Sequence, residues 1–69
     1  MTGQSYLKHL PKGDWSYVTT AKPGKHEGSG FVYVADGEGR KIAVILGTPD
    51  EKMAITELLI DARDNHKEP

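Results

Sequence analysis

The sequence predicts an α+β fold of β-β-β-α order: a three-stranded antiparallel sheet in meander order, with one C-terminal helix packed across one face. Three observations carry this. Aromatic and β-branched residues gather in short runs at 15–20, 31–35 and 41–46. Only Asp36-Gly37-Glu38-Gly39-Arg40 separates the second run from the third, a short connection with two glycines that can take positive φ, which reads as a hairpin. Thr48-Pro49-Asp50-Glu51 then opens a long helical segment.

Residues 1–14 contain Gly3, Pro11 and Gly13 without sustained periodicity and read as an N-terminal arm, pinned by Leu7 and Leu10. The first strand is Trp15-Ser16-Tyr17-Val18-Thr19-Thr20. Residues 21–30 hold Pro23, Gly24, Gly28 and Gly30 and form a loop. Phe31-Val32-Tyr33-Val34-Ala35 and Lys41-Ile42-Ala43-Val44-Ile45-Leu46 pair as the hairpin. In the helix, Thr48 caps, Pro49 suits the first turn, and Glu51 completes a capping box three residues after Thr48. Asp50 and Glu51 complement the positive end of the helix dipole. The helix is expected over 49–65, the folded domain over 15–66, and a frayed tail over 67–69.

At 69 residues the chain is one domain. Below roughly 70–80 residues a single core seldom supplies more than about 3–5 kcal/mol, so disulfides, metal or association usually contribute. Cysteine is absent, which excludes disulfides, thiolate metal sites and thiol nucleophiles. No apolar run approaches the roughly 20 residues of a membrane span, and no hydrophobic signal region opens the chain. The expectation is a soluble, cytoplasmic protein that associates with itself or with a partner.

At 100° per residue the helix shows two stripes. Ala54, Ile55, Leu58, Leu59 and Ala62 form the expected core face. Met53, Thr56, Ile60 and Arg63 form a second stripe, available to a partner. Both hairpin strands are apolar on both faces, although a sheet with one wet face should alternate apolar and polar. One helix covers one face only. The other, assigned to Val32, Val34, Ala43 and Ile45, falls to the arm, to a second copy of the chain or to another protein.

No catalytic constellation emerges. His9, His26 and His66 lie apart without metal-ligand spacing, so no metal or cofactor is expected. There is no nucleophile elbow, Walker loop or dinucleotide fingerprint. Charge is uneven: residues 1–47 carry six basic and four acidic groups, whereas 48–69 carry three and six. Glu57, Asp61 and Asp64 make the helix acidic. Lys22, Lys25 and His26, with Arg40, are the possible anion contacts. These are too few to favour direct nucleic-acid binding in a chain of net charge −1.

Pro11-Lys12-Gly13-Asp14-Trp15, the Asp36-Gly37 hairpin running into Arg40-Lys41-Ile42-Ala43-Val44, and Asp50-Glu51 followed by Ala54-Ile55-Thr56-Glu57-Leu58-Leu59-Ile60-Asp61-Ala62 form a recognisable series. It resembles the short early-region accessory proteins of temperate phages and prophages, of the Ead type. The likeness spans most of residues 11–64. It implies a phage-encoded protein of the host cytoplasm that binds and blocks host machinery, CRISPR–Cas effectors among it. The expected function is therefore a non-enzymatic inhibitor of a bacterial defence complex, acting by steric occlusion or by acidic mimicry. Its partner would be a host protein complex, with a homodimer as the self-associated form. Two competitors use the basic groups: an oligomeric sponge for a small nucleotide signal, and a small nucleic-acid-binding regulator.

Overall fold

A computed structural model describes residues 6–66. The tail at 67–69 and the first five residues of the arm lie outside the described residues. The strands are β1 (Ser16–Thr19), β2 (Val32–Ala35) and β3 (Lys41–Ile45), and the helix is α1 (Pro49–Asp64). The sheet order is β1-β2-β3 with both pairs antiparallel, as the sequence predicts. Short 3-10 turns at Tyr6–His9 and Glu27–Ser29 lie in the arm and in the long loop.

The local chemistry explains the element boundaries. Thr48 Oγ1 accepts from the Glu51 amide at 3.2 Å, and Glu51 Oε1 accepts from the Thr48 amide at 2.9 Å, closing the capping box. The hairpin closes on Asp36. Its amide donates to the Arg40 carbonyl, and Gly39, at φ +83°, turns the chain so that its amide reaches the Asp36 carbonyl at 2.9 Å. Asp36 Oδ1 also accepts from the amides of Glu38 (2.9 Å) and Arg40 (3.0 Å), while Arg40 Nε reaches Oδ2 at 3.2 Å. Burial alone would push this carboxyl up. The two amides and the guanidinium outweigh it and hold the pKa below the ordinary 3.8.

A depressed native pKa stabilises the fold above the unfolded-state value, and the contribution disappears as pH falls through the native one. For Asp36 that loss runs downward from about pH 4. Asp36→Asn keeps the Oδ1 acceptor but not the charge. Its melting temperature should lie below that of the wild type at pH 7, and the gap should close toward about pH 3 in circular dichroism melts. Parallel pH profiles for the two proteins would contradict this role.

The core sits between α1 and one sheet face. Val32, Val34 and Ile45 are buried there, with Trp15, Ile42, Ala43, Met53 and Leu59 packed against them. This corrects the expected assignment: Val32, Val34, Ala43 and Ile45 form the helix-covered face, not the open one. The register places Val18, Tyr33 and Val44 in one row on the opposite side. A bulge opposite the Val34–Ala35 step leaves Ile42 unpaired, since Val34 faces Ala43 and Ala35 faces Lys41. That extra residue sends Ile42 into the core and Lys41 outward, where its Nζ stands 5.5 Å from the Tyr33 ring centroid.

The helix faces are also the reverse of the expectation. Thr56 (1% exposed) and Arg63 (6%) are buried, and Met53, Leu59 and Ile60 are partly so. Ala54, Ile55, Leu58 and Ala62, expected in the core, are exposed; of the expected face only Leu59 turns inward. The physical reason lies in two polar residues whose needs are met within the fold, one inside the helix and one largely by the arm. Thr56 Oγ1 donates to the Lys52 carbonyl at 2.7 Å. Arg63 donates to the carbonyls of Gly13 (3.3 Å) and His66 (3.4 Å) and stacks over Trp15, 5.6 Å from its centroid. Trp15 Nε1 in turn donates to the Pro11 carbonyl at 3.0 Å.

Arg63 and Trp15 thereby tie the arm to the helix, and the Gly37 amide ties it to the hairpin through the Lys12 carbonyl at 3.1 Å. Leu7 and Leu10 line a small cavity with Trp15, Leu59 and Ala62. The described part of the arm therefore packs beside the helix and the hairpin turn. It does not cover the outer sheet face.

Candidate functional site: the uncovered sheet face and the helix furrow

Two surfaces remain. The first is the outer sheet face. Val18, Tyr33 and Val44 form its central row, and Phe31 and Leu46 extend the same parity beyond the ends of β2 and β3. Phe31 is 62% exposed, Leu46 72% and Val44 49%. The Phe31 and Tyr33 rings lie 6.4 Å apart in a tilted pair. Thr20 holds the Phe31 backbone at both ends: its amide donates to the Phe31 carbonyl at 2.9 Å, and its Oγ1 accepts from the Phe31 amide at 2.8 Å. The exposed ring thus sits on fixed backbone. The surface is aromatic and aliphatic, with Lys41 at its margin.

The second surface is a furrow between α1 and β1. The outer strands of a three-stranded sheet lie about 10 Å apart, close to the width of one helix, so a helix set off centre leaves one flank unroofed. Here α1 packs on β2 and β3, and the flank beside β1 stays open. Tyr17, although paired with Val34 on the inner face, is exposed there. Tyr17, Met53, Thr56, Glu57, Ile60 and Asp61 line a cavity of about 310 Å³. The Tyr17 hydroxyl donates to Glu27 Oε1 at 2.8 Å. That hydrogen bond, the Glu27 charge and some burial raise the phenol above its ordinary 10.0.

The remaining sequence-predicted residues are placed as follows. Met53, Thr56 and Ile60 form the floor of the furrow, and Arg63 is committed to the arm and Trp15. Glu57 and Asp61 stand at the furrow rim, while Asp64 is exposed in the last helical turn. The four possible anion contacts do not converge. Lys22 and Lys25 are exposed, Arg40 is bonded to Asp36, and His26 bridges its loop to the helix start. His26 Nδ1 accepts from the Gly28 amide at 2.9 Å, which leaves Nε2 as the donor to Asp50 Oδ1 at 2.7 Å. Among the described residues, no group of three His, Asp or Glu is arranged to hold a metal ion. Among the same described residues, no helix is long and apolar enough to cross a membrane.

Sequence reading missed the outer row of Val18, Phe31, Tyr33, Val44 and Leu46. The signal for the row itself was present, because hairpin pairing places Tyr33 opposite Val44. Which side of the sheet it occupies is fixed by where α1 packs, which the residue pattern does not announce because both faces of the hairpin are apolar.

No protein-family model matches the chain, and no curated protein or solved structure is significantly similar to it.

Proposed function

We propose that this protein is a non-enzymatic binding domain that works by occlusion. Its outer sheet face docks on a bacterial protein complex, and the complex is a defence effector of the CRISPR–Cas kind. One observation carries the reading: Val18, Phe31, Val44 and Leu46 are exposed around half-buried Tyr33 on one face of the sheet. The cores of protein interfaces are enriched in Tyr and Phe and depleted in charge, with polar groups at the rim. This face has that composition, with Lys41 at its edge. An apolar patch of this kind on so small a protein marks an interaction surface. The phage context comes from the resemblance of the Trp15, Asp36-Gly37 and helix motifs, and it supplies the host cytoplasm as the setting. The nucleotide-sponge reading is weakened by the geometry, because Arg40 and His26 already have partners within the fold.

A plating assay tests the proposal. Bacteria immune to a phage through a CRISPR–Cas system should become permissive when they express the wild-type chain. Phe31→Asp and Val44→Asp should restore immunity while remaining folded by circular dichroism. Failure of the wild type against a panel of such systems would overturn the defence reading. Undiminished inhibition by both folded variants would overturn the docking face.

A further inference from the structure

The furrow beside β1 has a chemistry of its own. Its floor is apolar, built from Met53 and Ile60 with the Tyr17 ring as the far wall. Glu57 and Asp61 stand one helical turn apart on the near rim, as i, i+4 neighbours on one flank of α1. Neither carboxylate is engaged by a hydrogen bond or ion pair among the described residues. A third, Glu27, is held at the far wall by the Tyr17 hydroxyl at 2.8 Å. The cations of α1 are committed elsewhere: Lys52 Nζ donates to the Gly30 carbonyl at 2.8 Å, and Arg63 donates to Gly13 and stacks on Trp15. The furrow is therefore an apolar slot between negative rims, with no cation of its own helix to answer them. Its volume, about 310 Å³, lies at the small end of the range for ligand pockets, which suits one or two side chains.

We propose that this furrow takes a cationic–apolar segment of a protein partner, in which Arg or Lys flanks an aliphatic or aromatic residue. The apolar side chain enters between Met53, Ile60 and Tyr17. Its basic neighbour pairs with Glu57 and Asp61, a charge-assisted contact for which an arginine fork is well shaped. Charge complementarity selects this occupant, because an acidic segment or a nucleic-acid backbone would meet three carboxylates. The role differs from phosphate mimicry: the acids receive a partner's side chain instead of entering a partner's basic channel. The furrow lies on the helix side of the sheet, away from the Phe31–Val44 face, so the contact does not depend on the function proposed for that face.

The test uses the full chain and two capped hexapeptides. One has two leucines between arginines, and the other has glutamates in place of the arginines. In an amide-resolved NMR titration, the arginine peptide should shift Tyr17, Met53, Glu57, Ile60 and Asp61, with affinity falling as salt rises. The glutamate peptide should bind about tenfold more weakly or not at all. Glu57→Lys combined with Asp61→Lys, both exposed sites, should keep the fold and lose about tenfold in affinity for the arginine peptide. Equal binding of the two peptides, indifference to the charge reversal, or no binding at millimolar peptide would overturn the proposal. So would concentration-dependent shifts of the same residues without peptide, which would mean that a second copy fills the furrow. Because the assay contains no defence complex, its failure is distinguishable from failure of the plating assay.

Discussion

Gly28→Ala is expected to destabilise the protein by about 3 kcal/mol, the upper end of what overpacking costs. A Cβ at this position would stand 2.2 Å from the Pro49 carbonyl oxygen, 2.6 Å from its Cα and 2.7 Å from its carbonyl carbon. All three are backbone atoms of the first helical turn, so no side chain can swing aside. Either α1 moves off the loop or the loop moves off α1, and both break the chain from Gly28 through His26 to Asp50. For a domain whose whole stability is roughly 3–5 kcal/mol, this is most of it. Thermal melts should show a drop of more than about 10 °C. Gly24→Ala serves as the control. Gly24 has positive φ, +84°, which Gly28 does not, and a Cβ there meets nothing within 4 Å. Only the backbone cost remains, about 1 kcal/mol. Similar melting temperatures for the two variants would contradict the close approach of Gly28 to Pro49.

A pair of adjacent substitutions should have opposite outcomes. Ile45→Asp removes a side chain that is 5% exposed in the cluster with Val32 and Val34, and it buries an unpaired carboxylate. Truncating a buried Ile costs about 2–5 kcal/mol before the charge is counted, so the variant should be unfolded at neutral pH. Val44→Asp points to the outer face and should fold with a loss of about 1 kcal/mol, mainly the lower β-propensity of Asp. Circular dichroism and urea denaturation of the two proteins read this directly. If Val44→Asp unfolded and Ile45→Asp did not, the sheet would be packed the other way over.

That pair marks where sequence reading stopped. The order of elements was legible because each rests on local chemistry: the Thr48–Glu51 box, Pro49 in the first turn, and the glycine-bearing Asp36–Arg40 connection. The sheet's orientation was not. Val32 and Val34 look as suited to an open face as Phe31 and Tyr33, since both parities are apolar. On β3, Lys41 shares its sequence parity with Ala43 and Ile45, yet the Ile42 bulge turns it onto the opposite face. On α1, counting apolar residues favoured Ala54, Ile55, Leu58 and Ala62, whereas the buried stripe is centred on Thr56 and Arg63. The partners that make those two polar residues buriable are the Lys52 carbonyl within the helix and Gly13 and Trp15 in and beside the arm. The Gly13 contact spans 50 residues and has no signature in a helical wheel.

The candidate surfaces inherit the same division. Residue types identified the acids Glu57 and Asp61 and the apolars Met53 and Ile60 as noteworthy. Only the placement of α1 over β2 and β3 joins them with Tyr17 into one furrow. Conversely, Leu58, 68% exposed, stands on the back of the helix, away from both surfaces, and so provides an internal reference.

The most direct test of the docking face uses a photo-crosslinking residue, benzoylphenylalanine, placed at position 44 in one protein and at position 58 in another. Each is irradiated with the purified defence complex that the plating assay singles out. The account predicts a covalent adduct to that complex from position 44 and none from position 58. Adducts from position 58 alone, or from position 44 only to a second copy of the chain, would contradict it.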